Sequence, residues 1–223
     1  MSYGTVFPLW RDAAGRAWSD YTEHAFVQAL GDGTLPSRAF LHYLVQDYIF
    51  LIHFSRAWAL AVTKAETVEE MRSCAGTVNA LINDEIALHV SICGAHGISE
   101  ADLQVADEGR ANLAYTRYVL DAGHSGDLVD LLASLAPCVM GYGEIGLRLS
   151  KAATSDRYRE WIGTYAGAEY QATCRDAGAL IDSAVNLRLG DRPTSSPRWG
   201  GLCRRFRTAT RLEADFWQMG LDP

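Results

Sequence analysis

Alternation of apolar and polar residues is what this sequence has least of. It contains no sustained period-two run bounded by turn residues, no Asn-Gly hairpin and no internal repeat, so nothing in it reads as a strand. Unbroken apolar runs of about 18 residues are also missing, and no membrane span is expected. Positive charge is sparse: 20 Lys and Arg stand against 27 Asp and Glu, for a net charge of −7. The one basic cluster is the short Arg204-Arg205-Phe206-Arg207, too little to neutralise a phosphate backbone, so nucleic acid is not an expected partner. The five cysteines, at 74, 93, 138, 174 and 203, are odd in number, widely spaced and form no C-x-x-C pair. They fit reduced thiols in a cytoplasm better than a disulfide framework or a zinc site. Met1 through Phe7 show no charged segment leading into an apolar one, so no signal peptide is read there and a soluble, cytoplasmic protein is expected. Neither G-x-G-x-x-G after a strand nor a Walker-type sequence is present, which removes the usual nucleotide cradles.

What the 223 residues do contain is helical period, in a chain that is 48% apolar and long enough to bury a substantial core. Apolar residues recur every three or four positions from about Thr5 to Leu30, and Gly31 to Thr34 form a turn. Ser37 is placed to cap a helix reaching Lys64, and a third helix runs from about Val68 to Cys93. Ser99 to Asp102 resemble the start of a short helical segment, and Asp107 to Ala122 form another helix. Asp127 caps the next, which passes through a break at Pro137 to Leu149. Ser155-Asp156 cap one carrying Tyr158 through Ile181, and the last spans about Leu202 to Met219. Residues 190–201 read as a mobile surface linker rather than a lid. The expectation is one all-α domain, residues 1–223, with seven to eight helices.

Three of these helices each put a titratable group where an apolar residue belongs: Asp47, Cys138 and Glu213. A carboxylate on an apolar stripe is costly to bury unless it is bonded or paired, so Asp47 either bonds a neighbouring helix or faces a pocket. The stretch Ser134 to Glu144 is the most unusual. Pro137 costs a helix roughly 3 kcal/mol or more and each of Gly141 and Gly143 about 1 kcal/mol, which a chain tolerates for a kink or a close approach. Cys138 and Tyr142 lie one turn apart on the same side. The plain alternative is a kinked core helix with an inert, buried thiol. Glu85 and His89 are four apart and could place two metal ligands on one face, although an ordinary structural pair is the preferred reading. Brought together in a bundle, a thiol, two carboxylates and tyrosines at 115, 142 and 165 favour a neutral or cationic nitrogen heterocycle over a phosphate.

The segments Leu44 to Phe54, Ala114-Tyr115-Thr116, Pro137 to Glu144, Trp161 to Tyr165 and Leu212 to Trp217 together resemble the TenA (thiaminase II) family. The N-terminal Trp10, His24 to Val27 and Gly33 to Pro36 fit as well, with Ala25 standing where proline is usual. The resemblance covers almost the whole chain in order. It implies a haem-oxygenase-like helical fold without haem, usually a homotetramer, needing no metal or organic cofactor. It also implies hydrolysis of 4-amino-5-aminomethyl-2-methylpyrimidine to the hydroxymethyl compound, with thiamin as a second substrate. By the same resemblance Cys138 is the nucleophile and Glu213 its proton-transfer partner. Asp47 would bond the ring nitrogen and exocyclic amine, with Tyr115, Tyr142 and Tyr165 lining the site. Phe50 stands where some members carry tyrosine, so a hydrogen bond near the leaving group is missing. Two rivals remain: a di-iron carboxylate oxidase using Glu85, His89, Glu144 and Glu169, and a bundle that binds a pyrimidine without turning it over. All six histidines lie in the first 124 residues, which leaves the later helices without an iron-ligating imidazole.

Overall fold

A computed structural model describes residues 3–222. Its elements are α1 (Val6–Ala14), α2 (Arg16–Thr22), α3 (Ala25–Asp32), α4 (Ser37–Lys64), α5 (Val68–Ala80), a π-helical turn (Leu81–Glu85) and α6 (Ile86–Ala95). They continue with α7 (Glu100–Gln104), α8 (Arg110–Ser125), α9 (Leu128–Ala152), α10 (Arg159–Ala166), α11 (Ala168–Leu189), a 3-10 turn (Pro193–Ser195) and α12 (Trp199–Leu221). No strand occurs among the described residues, and the fold is all-α as expected.

The helices outnumber the expected seven or eight because periodicity runs through interruptions that the backbone does not. The segment from Thr5 to Leu30 is three helices. Gly15 breaks it with φ +58°, a conformation that favours glycine. His24 then caps α3, its Nδ1 accepting from the Phe26 N–H at 3.2 Å. The helix expected from Ser155 to Ile181 is divided at Gly167, and Ser155 caps no helix; its hydroxyl accepts from the Arg157 N–H in a turn. Ser37 is the first residue of α4 rather than its cap. The expected cap at Asp127 holds, as a reciprocal capping box with Asp130, and the expected short segment at Ser99 to Asp102 begins with another such box.

Helix α9 lies at the centre, packed against α8, α10, α11 and α12. It is long and apolar enough to cross a bilayer, but 83% of its most apolar window is buried inside the protein. Pro137 does not break it; the helix is continuous from Leu128 to Ala152, with the Tyr21 hydroxyl donating to the Pro137 carbonyl at 3.4 Å. The glycines serve helix packing. A Cβ at Gly141 would lie 2.2 Å from the Tyr21 ring, and one at Gly146 would lie 2.6 Å from the Tyr165 backbone. Gly146 therefore sets how closely α10, and with it Tyr165, approaches α9. The segment 190–201 is more anchored than a mobile linker. Arg198 bonds Asp127 and Asp130 at 2.7 Å each, and Trp199 lies against Trp10.

Candidate active site

Helices α4, α6, α8, α9, α10 and α12 deliver the polar side chains of one aromatic-walled cluster in the interior, and they do so in two corners. The first joins α8, α9 and α12. The Tyr115 hydroxyl donates to Glu213 Oε1 at 2.8 Å, and the Cys138 thiol lies within hydrogen-bonding reach of the same carboxyl. Glu213 is 2% exposed and forms no salt bridge among the described residues. Burial raises its pKa to about 8, with Asp47 adding to the rise and the Tyr115 and Cys138 hydrogen bonds opposing it. Burial also pushes the Cys138 thiol well above its ordinary value, reinforced by Glu213, Glu85 and Asp47. Both groups thus keep their protons at neutral pH, and Glu213 can take the thiol proton only after losing its own.

The second corner joins α4 and α6. Asp47 Oδ2 accepts from the Tyr43 hydroxyl at 3.0 Å and is 2.7 Å from His89 Nε2. His89 Nδ1 lies 2.9 Å from the Glu85 carbonyl, which can only accept, so that nitrogen carries a proton. Burial disfavours a charged imidazole, but the hydrogen bond and charge of Asp47 outweigh it and raise the His89 pKa to about 9. The first aspartate expectation holds: Asp47 bonds a neighbouring helix through Oδ2, while its Oδ1 has no hydrogen bond among the described residues. A one-sided carboxylate of this kind offers its second oxygen to a ligand N–H. Glu85 and His89 are therefore not a metal pair; the histidine is turned to Asp47, and Glu144 is held by Arg11 at 2.6 Å and Trp18 Nε1 at 3.0 Å. Among the described residues no group of three or more His, Cys, Asp or Glu is arranged to hold a metal.

Aromatic rings join the corners. Tyr142 lies 4.9 Å from Tyr165 and 5.2 Å from Trp217 by ring centroids, and its hydroxyl is 3.4 Å from that of Tyr43. Burial lifts the phenols of Tyr115, Tyr142 and Tyr165 well above their usual range, so all three stay protonated donors. Phe50 packs on Tyr115 at 5.1 Å, with Phe54 and Phe216 around it, and brings no polar atom. The structure thus gathers Cys138, Glu213, Asp47, Tyr115, Tyr142, Tyr165 and Phe50 into one cluster. Sequence reasoning missed Tyr43, Trp161 and Trp217, which look like core aromatics on their helices. The i,i+4 spacing of Tyr43 and Asp47 was the available signal.

The chain is similar to known proteins along nearly its whole length. The model of the TENA/THI-4/PQQC family matches residues 11–223. An uncharacterized protein of Haemophilus influenzae is 39% identical over 92% of this chain and 94% of its own length. The aminopyrimidine aminohydrolase of Halalkalibacterium halodurans is 33% identical over 91% of this chain and 89% of its own. Among solved structures, a protein of a Silicibacter species described as a TenA family transcription regulator superposes with a TM-score of 0.98. That protein is 62% identical, with 99% of this chain and 98% of the other covered. A Shewanella denitrificans domain with a heme oxygenase-like fold superposes with a TM-score of 0.73 at 12% identity, over 99% of this chain and 94% of the other.

Proposed function

The chain belongs to the TENA/THI-4/PQQC family, and on that premise we propose that it is a thiamin-salvage hydrolase. It converts 4-amino-5-aminomethyl-2-methylpyrimidine to the 5-hydroxymethyl compound, with thiamin as a second substrate. The observation that carries this reading is the Cys138–Glu213–Tyr115 cluster: a half-buried thiol against a buried carboxyl that forms no salt bridge among the described residues. The aminohydrolase name of the 33% identical relative supports the reaction class.

Asp47 Oδ1 accepts from the pyrimidine's amino group, and the aromatic walls hold the flat ring. Glu213, once ionised, takes the Cys138 proton, and the thiolate adds to the ring carbon next to the substituted one. The ring loses aromaticity and pushes an electron pair out to the methylene carbon, which expels the amine. Having entered as an ammonium, it leaves as ammonia. Water adds to the exposed methylene, and the proton it sheds leaves with the ammonia as ammonium. The ring regains aromaticity by expelling the thiolate, which recovers its proton from Glu213. The charged His89–Asp47–Tyr43 chain fixes the ring at the opposite end. The reading includes a single domain, a cytoplasmic location and a homotetramer, the last checked by light scattering.

Incubation with the aminomethylpyrimidine and with thiamin, followed by chromatography of the hydroxymethyl product, tests the reaction. The wild type is expected to form product and Cys138→Ser to lose at least about 10³-fold in turnover while still binding the ring. Product formed equally by both proteins would sink the cysteine mechanism. Ligand binding with no product from either would favour the non-catalytic reading that the name of the Silicibacter relative also suggests.

A further inference from the structure

His89 is a polar residue buried on a helix that buries little else: of the ten residues of α6, only His89 and Cys93 are buried. Its ring is held at both nitrogens. Nδ1 is 2.9 Å from the Glu85 carbonyl one turn back, and Nε2 is 2.7 Å from Asp47 Oδ2 on α4. A carbonyl oxygen has no proton to give, so the first contact places one on Nδ1. Nε2 would then meet the carboxylate with a lone pair unless a second proton lies between them. Two acceptors at 2.7 Å repel, so the contact holds a proton, carried on Nε2 or on Oδ2. Burial by itself would disfavour that proton, but the bond and charge of Asp47 raise His89 to about 9, and the pair keeps it at neutral pH.

The rest of the network fixes which oxygen is occupied. Trp161 Nε1 can only donate, and it lies 3.3 Å from the Tyr43 hydroxyl, whose own proton is left for Asp47 Oδ2 at 3.0 Å. Oδ2 therefore receives both the phenol and the imidazole, and Oδ1 has no hydrogen bond among the described residues. Oδ1 bears no proton in either arrangement. With the proton on Nε2 it is half of a carboxylate; with the proton on Oδ2 it is the carbonyl oxygen of the acid. Whatever approaches Oδ1 meets an acceptor.

We propose that His89 determines which group is accepted at the 4-position of the pyrimidine. By holding the shared proton on the Oδ2 side it makes Oδ1 an acceptor only, so that an amino group is admitted and a 4-oxo group is turned away. The inference rests on the aminohydrolase reading, which sets a 4-aminopyrimidine against Asp47, and adds the residue that enforces the choice. An amino N–H donates to Oδ1, whereas a carbonyl oxygen there would oppose two lone pairs out of reach of water, leaving a buried acceptor unpaired. Sites built to receive a donor reject ligands that lack one far more strongly than apolar walls reject a change of size. With a neutral amide in place of the imidazole, the proton is left to the carboxyl alone. Oδ2 is then filled by Tyr43 and the amide, so the proton falls to Oδ1, which becomes a donor and accepts the oxo ring. His89 acts through Asp47 and is a positioning residue, not a catalytic one.

Calorimetry at neutral pH tests this with two ligands that have no amine to release, 4-amino-5-hydroxymethyl-2-methylpyrimidine and its 4-oxo counterpart. The proteins are the wild type, His89→Gln and Tyr43→Phe. The wild type is expected to favour the amino compound by at least about 10²-fold. His89→Gln keeps an N–H for Oδ2 but brings no proton to share, and should reduce that ratio below about tenfold, chiefly by binding the oxo compound more tightly. Neither misfolding nor lost packing produces a gain in affinity. Tyr43→Phe removes a hydrogen bond from the same oxygen without touching the shared proton, and should keep the ratio within about threefold of the wild-type value. Wild-type affinities for the two compounds within about tenfold of each other would overturn the inference before any variant is made. An unchanged ratio in His89→Gln, or the same fall in ratio for both variants, would overturn it as well. Failure of the amino compound to bind the wild type would instead overturn the aminohydrolase reading, and this inference with it.

Discussion

Glu70 and Glu213 are the same residue type at the same 2% exposure, yet the fold treats them in opposite ways. Glu70, on α5, receives two hydrogen bonds from the Arg188 guanidinium, at 2.7 and 3.1 Å, and a third from the Glu66 N–H at 2.8 Å. The Arg188 bonds hold its pKa below the usual carboxylate value despite burial. Glu213 has only a phenol and a thiol for company, and burial carries it up to about 8. The difference teaches that burial alone does not mark a reactive carboxylate; burial without a cation does. An arginine-paired glutamate is spent on joining α5 to α11. A glutamate facing a thiol has a proton to exchange near neutrality.

The largest effect that could break this contrast is on rate. Glu213→Gln is expected to lower kcat by about 10²- to 10⁴-fold, the range for a lost general acid–base group, with the fold intact. Glu70→Gln should leave kcat within about threefold, and steady-state kinetics on both variants compares them. Stability should reverse the order. Removing the buried partner of Arg188 by Glu70→Ala should cost about 3 kcal/mol, the low end for a broken buried ion pair because Glu66 stays 3.2 Å from Arg188, whereas Glu213→Gln removes a group that gains nothing from ionising. Urea unfolding of the two variants measures this, and equal losses would erase the distinction.

A smaller effect, in pH, sharpens it. The raised pKa values of Glu213 (to about 8) and Glu85 (to about 7) mean that the folded protein binds protons the unfolded chain has released. Stability contributed by these groups is therefore present at acid pH and is lost as pH rises from about 4.5 through 7 and 8. The raised His89 adds in the same direction, its share being lost as pH rises through about 9. Glu70 acts oppositely: its share is present above its unfolded pKa and is lost as pH falls through its depressed folded value. Urea midpoints between pH 5 and 9 should decline in the wild type and decline less in Glu213→Gln. In the same range kcat/KM should rise toward pH 8 as Glu213 becomes able to accept the thiol proton.

The smallest expected effect belongs to Phe50, whose ring packs on those of Tyr115, Phe54 and Phe216. Phe50→Tyr adds one hydroxyl near the substrate pocket and should raise kcat for the aminopyrimidine by no more than about tenfold, the worth of one hydrogen bond. Parallel kinetics with thiamin would register any change in preference.

Much of this was legible in the chain. Absent strand periodicity and repeated three- and four-residue spacing were enough for an all-α reading, because amphipathic helices advertise their buried faces locally. Asp47, Cys138 and Glu213 stood out for the converse reason, as polar groups on stripes that burial reserves for apolar ones. The boundaries at Gly15, Gly167 and the π turn were not legible, since an apolar pattern continues across a local change of backbone. Pro137 misled, because the surrounding bundle keeps α9 continuous where an isolated helix would break.

What the sequence determined by itself is which residues are too polar for the faces they occupy. What only the tertiary structure decided is which polar neighbour each one meets. His89, 42 positions from Asp47, became its partner, and Arg188 went to Glu70 rather than to Glu213. Pairings of that kind rest on how helices cross, and helix crossing depends on side chains far apart in the chain. The same crossings left Glu213 with a thiol and a phenol and no cation, and so set its proton near neutrality.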